Sequence, residues 1–219
     1  MVKDGFFYAI GCGLVAGVLW YFTGSYILVA IPCLLGLFFL WFFRDPTRKI
    51  PDGPGLIVSP GDGVVTEADW VETKSGSRLR LSIFLNVFDV HVNRCPVDGT
   101  ITLCEHRKGK FLNAMNKDSA ILNEQTLITI DAGDYEVSFE QIAGLIARRI
   151  VCNLKVGDRV KRGDRMGLIK FGSRVDVLMP ADADLRVNKG DRVVGGSTVL
   201  AVLTDSAKAT GSMARAIGA

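Results

Sequence analysis

The chain is poor in residues that hold metals. It has two histidines, His91 and His106, and five cysteines, Cys12, Cys33, Cys95, Cys104 and Cys152. No two cysteines stand in a CxxC spacing, so neither a zinc site nor a redox pair is expected. A scattered odd set fits a reducing compartment, with the thiols serving as small buried hydrophobes. Charge of either sign is missing between Asp4 and Arg44, which argues against a water-exposed segment there. That apolar stretch is too long for a secretory leader and lacks a small-residue cleavage site, so a removable signal peptide is not expected. Aromatic residues are missing from the basic run that holds Arg148, Arg149, Lys155, Arg159, Lys161, Arg162, Arg165 and Lys170. Nucleic acid is therefore not an expected partner. A solvated β-surface accounts for most of these charges, and attraction to an anionic leaflet is their functional alternative.

What is present divides at residue 43. Residues 5–43 are almost continuously apolar, while 44–219 have the composition of an ordinary globular domain. Gly5–Phe22 and Tyr26–Phe43 are each close to the minimum length of a bilayer-spanning helix. Thr23-Gly-Ser25 makes a polar turn between them. The expected element is a membrane-anchoring helical hairpin over 1–43. Lys3 lies at one outer end, Arg44, Arg48 and Lys49 at the other, and no basic residue lies in the turn. That charge pattern places both ends, and the 44–219 domain, on the cytoplasmic side of the cell membrane.

Beyond Pro51-Asp-Gly-Pro-Gly55 the pattern is one of short apolar runs with turn residues between them. Strands are expected at Leu56–Val58, Gly63–Thr66, Leu79–Phe88, Thr126–Ile130, Glu136–Gln141, Ala147–Cys152, Met166–Phe171 and Thr198–Leu203. Asn113–Glu124 is the longest candidate loop, with helical turns. An internal repeat links Lys155-Val-Gly-Asp-Arg-Val-Lys-Arg-Gly163 with Asn188-Lys-Gly-Asp-Arg-Val-Val-Gly-Gly196. Gly-Asp flanked by apolar residues is a hairpin signal. Such repeats resemble the flattened β-barrels of lipoyl and biotinyl carriers. The expected fold is therefore mainly β, a barrel-sandwich-like domain preceded by the helical hairpin.

Gly172-Ser173 falls on a sharp turn between two strand-like runs. Glycine leaves its carbonyl unshielded and tolerates strained dihedrals, and the serine hydroxyl can attack that carbonyl and turn the amide into an ester. Loss of the serine by β-elimination would leave a pyruvoyl group at a new N-terminus. Gly-Ser is also an ordinary turn dipeptide, and it recurs at Gly24, Gly76, Gly196 and Gly211. The surrounding residues must decide.

Five segments, in order, supply that context. They are Phe42-Phe-Arg-Asp-Pro-Thr-Arg48, Val58-Ser-Pro-Gly-Asp-Gly-Val-Val65, Ser82-Ile-Phe-Leu-Asn-Val-Phe-Asp-Val-His-Val-Asn-Arg-Cys-Pro96, Gln141-Ile-Ala-Gly-Leu-Ile-Ala-Arg-Arg-Ile150 and Met166 to Ser173. Together they resemble the short bacterial or archaeal form of phosphatidylserine decarboxylase. The resemblance implies a self-processing proenzyme cut into a large β chain, 1–172, and a small α chain, 173–219, which stay together as a heterodimer. Higher oligomers are left open. It implies a pyruvoyl group made from Ser173 that captures the substrate amine as a Schiff base, with neither metal nor PLP. Phosphatidylserine and the bilayer are the implied partners, and phosphatidylethanolamine and CO2 the products.

By the same resemblance, Ser173, His91 and Asp62 form a nucleophile, a base and a group that orients the base. Longer relatives carry a His-x-x-His-x-Pro pattern, whereas this chain has Arg94 in place of the second histidine. His106 reads as a surface-strand residue. Gly196-Ser-Thr198 looks like the cleavage site of the longer relatives but lies inside the second repeat, where a hairpin explains it. Arg94, Arg148 and Arg149 are the basic candidates for the head group. A non-catalytic biotinyl- or lipoyl-like carrier is the rival class, with Lys170 as the nearest modifiable lysine. A pyruvoyl decarboxylase of a soluble amino acid is a second rival, disfavoured by the hairpin.

Overall fold

Residues 5–43 have no ionised side chain, and in an apolar medium helix is the conformation that satisfies their backbone groups internally. The computed structural model describes residues 2–73, 76–113, 118–145, 149–170 and 172–203. Ala147, Arg148 and Phe171, named above, lie outside the described residues. The chain divides into two units, Met1–Thr47 and Arg48–Ala219.

The first unit is a pair of helices, α1 (Lys3–Thr23) and α2 (Tyr26–Phe42). Gly24 closes α1 in the left-handed conformation and returns its N–H to the Trp20 carbonyl, a common helix C-terminus. The helices approach closely at small residues: a Cβ on Gly36 would lie 3.3 Å from that of Cys12. α1 is long and apolar enough to cross a membrane, and α2 is a shorter apolar helix. This apolar pair is suited to membrane association.

The second unit is mostly β. In chain order it holds β1 (Leu56–Val58), β2 (Gly63–Thr73), β3 (Gly76–Leu85), β4 (Val92–Arg94), β5 (Gly99–Arg107), the short helix α3 (Ser119–Leu122), β6 (Gln125–Asp131) and β7 (Glu136–Ala143). β8 (Ile150–Cys152), β9 (Arg159–Val160), β10 (Arg165–Ile169), β11 (Ser173–Pro180), β12 (Asp184–Leu185), β13 (Arg192–Val193) and β14 (Val199–Val202) complete it. Eight strands form one curled antiparallel sheet in the order β13-β2-β3-β11-β7-β6-β5-β9. Three-stranded sheets β4-β10-β8 and β1-β14-β12 accompany it. Alternation decides which face turns inward. Leu81, Ile83 and Leu85 of β3, Val137 and Phe139 of β7, and Val175, Val177 and Met179 of β11 are all buried in one core. The fold is the mainly β architecture expected, with the apolar helix pair before it.

The internal repeat is a repeated turn. Asp158 accepts the Lys155 N–H through its side chain, and Asp191 accepts that of Asn188 in the same way. Gly157 and Gly190 each adopt positive φ and dock their N–H on a strand carbonyl, of Ile101 and Val65 respectively. Six strands were not among those expected: β4, β9, β11, β12, β13 and, the longest of them, β5. The pairing of β5 with β6 shifts between Ile101 and Leu103, and such a bulge moves the inward set by one residue. Ile101 faces the core while Leu103 is exposed, so the alternation is broken mid-strand.

Candidate active site at Gly172-Ser173

Two features of β11 position Ser173. It is the first residue of the strand and pairs with Leu85 of β3 on one side and Ala143 of β7 on the other. It also shares the parity of Val175 and Val177, so its side chain faces inward and is fully buried. Among the described residues its Oγ has no hydrogen-bond partner. A buried hydroxyl left in that state costs about 1–3 kcal/mol, and natural folds seldom keep one without a use. Gly172 turns the chain into the strand with φ +68. Among the described residues, no atom outside its neighbours lies within 4 Å of where its Cβ would be.

The strand is braced from its other face. Arg174, the next residue, is buried and gives its guanidinium to both oxygens of Asp176, at 2.6 and 2.9 Å, and to Ser82 Oγ at 2.8 Å. A longer contact reaches Glu67 at 3.3 Å. Glu140, across from Asp176, has its carboxyl pushed above the usual range by burial and by the Asp176 charge.

His91 reaches this turn. It is almost fully buried, and its Nε2 accepts the Gly172 N–H at 3.1 Å. Its Nδ1 lies 2.9 Å from the Asp89 carbonyl oxygen. A carbonyl can only accept, so Nδ1 carries the proton and Nε2 the lone pair. The imidazole therefore presents a basic nitrogen one residue from the Gly172–Ser173 bond. Asp89 is held in turn, because its carboxylate accepts the Asn86 N–H at 2.8 Å and the Arg192 guanidinium.

Asp62 was expected to orient this ring. The structure instead gives its carboxylate to Arg48, at 2.8 and 2.9 Å, and to the Gly195 N–H at 2.8 Å. The proton on Nδ1 goes to a backbone carbonyl. Ser173, Gly172 and His91 are thus brought together, and Asp62 joins residue 48 to the turn after β13.

Two buried amides complete the inner surface. Gln141 of β7 lies opposite Val175 and shares the inward parity of Ala143, the partner of Ser173. Its Nε2 donates to Asn93 Oδ1 at 2.9 Å, and its buried Oε1 has no partner among the described residues. Neither amide was singled out from the sequence. Gln141 left a signal, since Val137, Phe139 and Gln141 are successive inward positions and the third is polar. Arg94 is buried and donates to the Gly163 carbonyl at 2.9 Å. His106 lies on β5 beside Thr126 Oγ1, at 3.0 Å.

The remaining candidates read differently. Gly196 also has positive φ, +76, but its N–H goes to the Ser59 carbonyl and the Ser197 N–H to that of Val194. This is the turn before β14. Lys170 is buried, which a swinging-arm lysine cannot be, so the carrier reading is not favoured. Burial first, then the Asp164 charge, pushes the Cys95 thiol up to about 12, so it stays protonated and unreactive at neutral pH. No cluster of three or more metal-ligating side chains occurs among the described residues.

The profile of the family described as phosphatidylserine decarboxylase matches residues 35–201, a span that includes every residue of this site. A phosphatidylserine decarboxylase proenzyme of Solibacter usitatus is 46% identical over 202 residues, 92% of this chain and 96% of that one. One of Paramagnetospirillum magneticum is 47% identical over 78% of this chain and 74% of its own. One of the Wolbachia of Brugia malayi is 41% identical over 92% and 90%. With the match running from the second helix through the Gly172-Ser173 turn to β14, the chain belongs to the phosphatidylserine decarboxylase family.

Proposed function

We propose that this chain decarboxylates phosphatidylserine to phosphatidylethanolamine after cutting itself between Gly172 and Ser173. One observation carries the reading: a buried, unpartnered serine hydroxyl follows a left-handed glycine whose amide rests on an unprotonated imidazole nitrogen. Ser173 Oγ attacks the Gly172 carbonyl carbon. The C–N bond between the two residues breaks, and an ester bond takes its place. The hydroxyl proton passes to the departing Ser173 nitrogen, with His91 Nε2 as carrier, because serine at its own pKa is a weak nucleophile. Loss of the Ser173 Cα proton then breaks the Cβ–O bond and releases Gly172 as a carboxylate. The remnant of Ser173 tautomerises, takes up water and releases ammonia, which leaves a pyruvoyl group. Family membership supports this maturation, since the relatives are named proenzymes.

The residues present fit such a group. The inner end of β11 offers an orphaned polar position at Ser173, with the Gln141–Asn93 amide pair on the same face. A pyruvoyl carbonyl supplies an electron sink for loss of CO2 from an amine-bearing substrate. Around it, burial of Ser173 and His91 excludes water. His91 Nε2 moves a proton to the substrate carbon from which the carboxylate departs. Gln141 orients polar substituents at the inner face. Asp62 acts at a distance, by tying Arg48 to the 195 turn. The apolar hairpin anchors the chain, and the basic residues at its two outer ends favour a cytoplasmic 44–219 domain.

Intact mass of the purified chain tests the cut. Two fragments, 1–172 and 173–219, are expected, the smaller without a free α-amine. Borohydride with phosphatidylserine should inactivate the processed protein. An active preparation made of one uncut chain would overturn the reading.

A further inference from the structure

The sheet end that holds Ser173 carries an apolar rim. In register across that end stand Leu85 of β3, Ser173 of β11 and Ala143 of β7, followed by Glu124, whose carbonyl accepts the Ala143 N–H. β5 ends on the same side, with Arg107 opposite Gln125. The chain just outside this row displays Phe88, Ile121 and Leu145, which are 65%, 78% and 64% exposed. Leu122 is exposed beside Ile121. Three separate connections thus present large apolar side chains at one end. Two other exposed apolar residues of this unit, Trp70 and Val156, lie away from it. Trp70 sits toward the β2–β3 turn, and Val156 precedes the glycine docked on Ile101, near the opposite end of β5. Lys108 and Lys110, both exposed, follow β5 out of the row. Exposed Arg149 accepts the Lys170 N–H through its carbonyl, three residues before Ser173. Asp118 is the exposed acid of the α3 connection.

We infer that this rim is a docking face for an anionic phospholipid surface. The inference rests on the function proposed above. Ser173 lies buried in the end row itself, so a head group reaches it from this end of the sheet. The substrate's two acyl chains would be driven into water unless the same end met the bilayer. Exposed apolar side chains interspersed with lysine and arginine are what an interfacial contact requires: burial among the acyl chains and attraction to negative head groups. The rim would present the reactive end of the sheet to the lipid surface.

The test uses the full chain reconstituted in phosphatidylcholine vesicles containing phosphatidylserine. A second assay offers dihexanoyl-phosphatidylserine as dissolved monomers. Phe88→Ser/Ile121→Ser/Leu145→Ser should lower the vesicle rate by about tenfold or more. Its self-cleavage, and its rate on the monomeric lipid, should stay within about twofold of the unsubstituted chain. Lys108→Gln/Lys110→Gln, which alters only exposed side chains, should slow the vesicle reaction about threefold and blunt its salt dependence. Equal losses on vesicles and monomers, or no loss on either, would overturn the inference. So would a change in oligomeric mass without a change in vesicle rate, which would mark the rim as a contact between copies. An unsubstituted chain that cleaves but decarboxylates neither lipid would instead strike the functional reading itself.

Discussion

The turns at Gly172-Ser173 and Gly196-Ser197 are alike in sequence and in backbone. Both glycines are left-handed, at φ +68 and +76, and both turns lead into a strand. Their surroundings differ in every respect that bears on chemistry. The Gly196 amide goes to the Ser59 carbonyl, and a Cβ there would lie 2.9 Å from Arg94 Cδ. The Gly172 amide goes to an imidazole, and the space around it is open. The second turn satisfies its backbone amides within the fold, whereas the first holds a buried hydroxyl with no partner among the described residues. Strained or unsatisfied groups collect where a protein acts, and the contrast shows that reactivity belongs to the setting of a dipeptide.

The strongest way to break this contrast is to remove each hydroxyl. Ser173→Ala should fold, remain one uncut chain and have no decarboxylase activity, while Ser197→Ala should cleave and turn over normally. A denaturing gel and a CO2-release assay read both, and activity in uncut Ser173→Ala would end the argument. Next in size is His91→Ala. Loss of the proton carrier should slow cleavage by about 10²–10⁴-fold, measured as the half-time of chain conversion, while His106→Ala stays close to the unsubstituted chain. If His91→Ala cleaves normally but cannot decarboxylate, the imidazole serves only the substrate.

Gln141→Leu sharpens the contrast from the strand beside Ser173. Decarboxylation should fall by about tenfold, the scale of one lost polar contact to a reacting group, and matured protein assayed at saturating substrate decides it. Asp62→Asn should do less to the chemistry. Its carboxylate meets Arg48 and Gly195, so the expected loss is about 1–3 kcal/mol of stability, seen in denaturant titration. Cleavage should slow by no more than a few-fold. A loss of several orders of magnitude would instead return Asp62 to the orientation of His91. The smallest effect belongs to Gly196→Ala. A left-handed alanine costs about 1–2 kcal/mol, and the tight approach of Arg94 adds to it, so the melting temperature should drop with the cleavage position unchanged.

Much of this was legible in the sequence where the cause is local. The helical hairpin follows from a charge-free run with a polar turn, and the repeated Gly-Asp turns follow from side chains that cap their own backbone. Gly172 reads as a turn because glycine suits its φ. The partners of the site were not legible, since they depend on which strands become neighbours. His91 takes its tautomer from the carbonyl of Asp89, a backbone atom that any residue would supply. The Gln141–Asn93 bond joins residues far apart in the chain, though an amide in an inward phase was a clue. β5 was hidden because its bulge switches the inward parity at Leu103.

β11 lies in the interior of its sheet, laddered to β3 and to β7 along most of its length. Further along the same piece of chain, β13 is laddered to β2 and β14 to β1. Scission just before Ser173 would change which atoms are covalently joined and leave every one of these neighbours in place. The severed piece would be retained as a guest strand, and its departure would require tearing open the middle of the sheet. Maturation would then be a private event of each molecule, first order and indifferent to dilution. The reactive group could be neither borrowed from solution nor replaced there. Once it was spent or damaged, that copy of the protein would be retired with it.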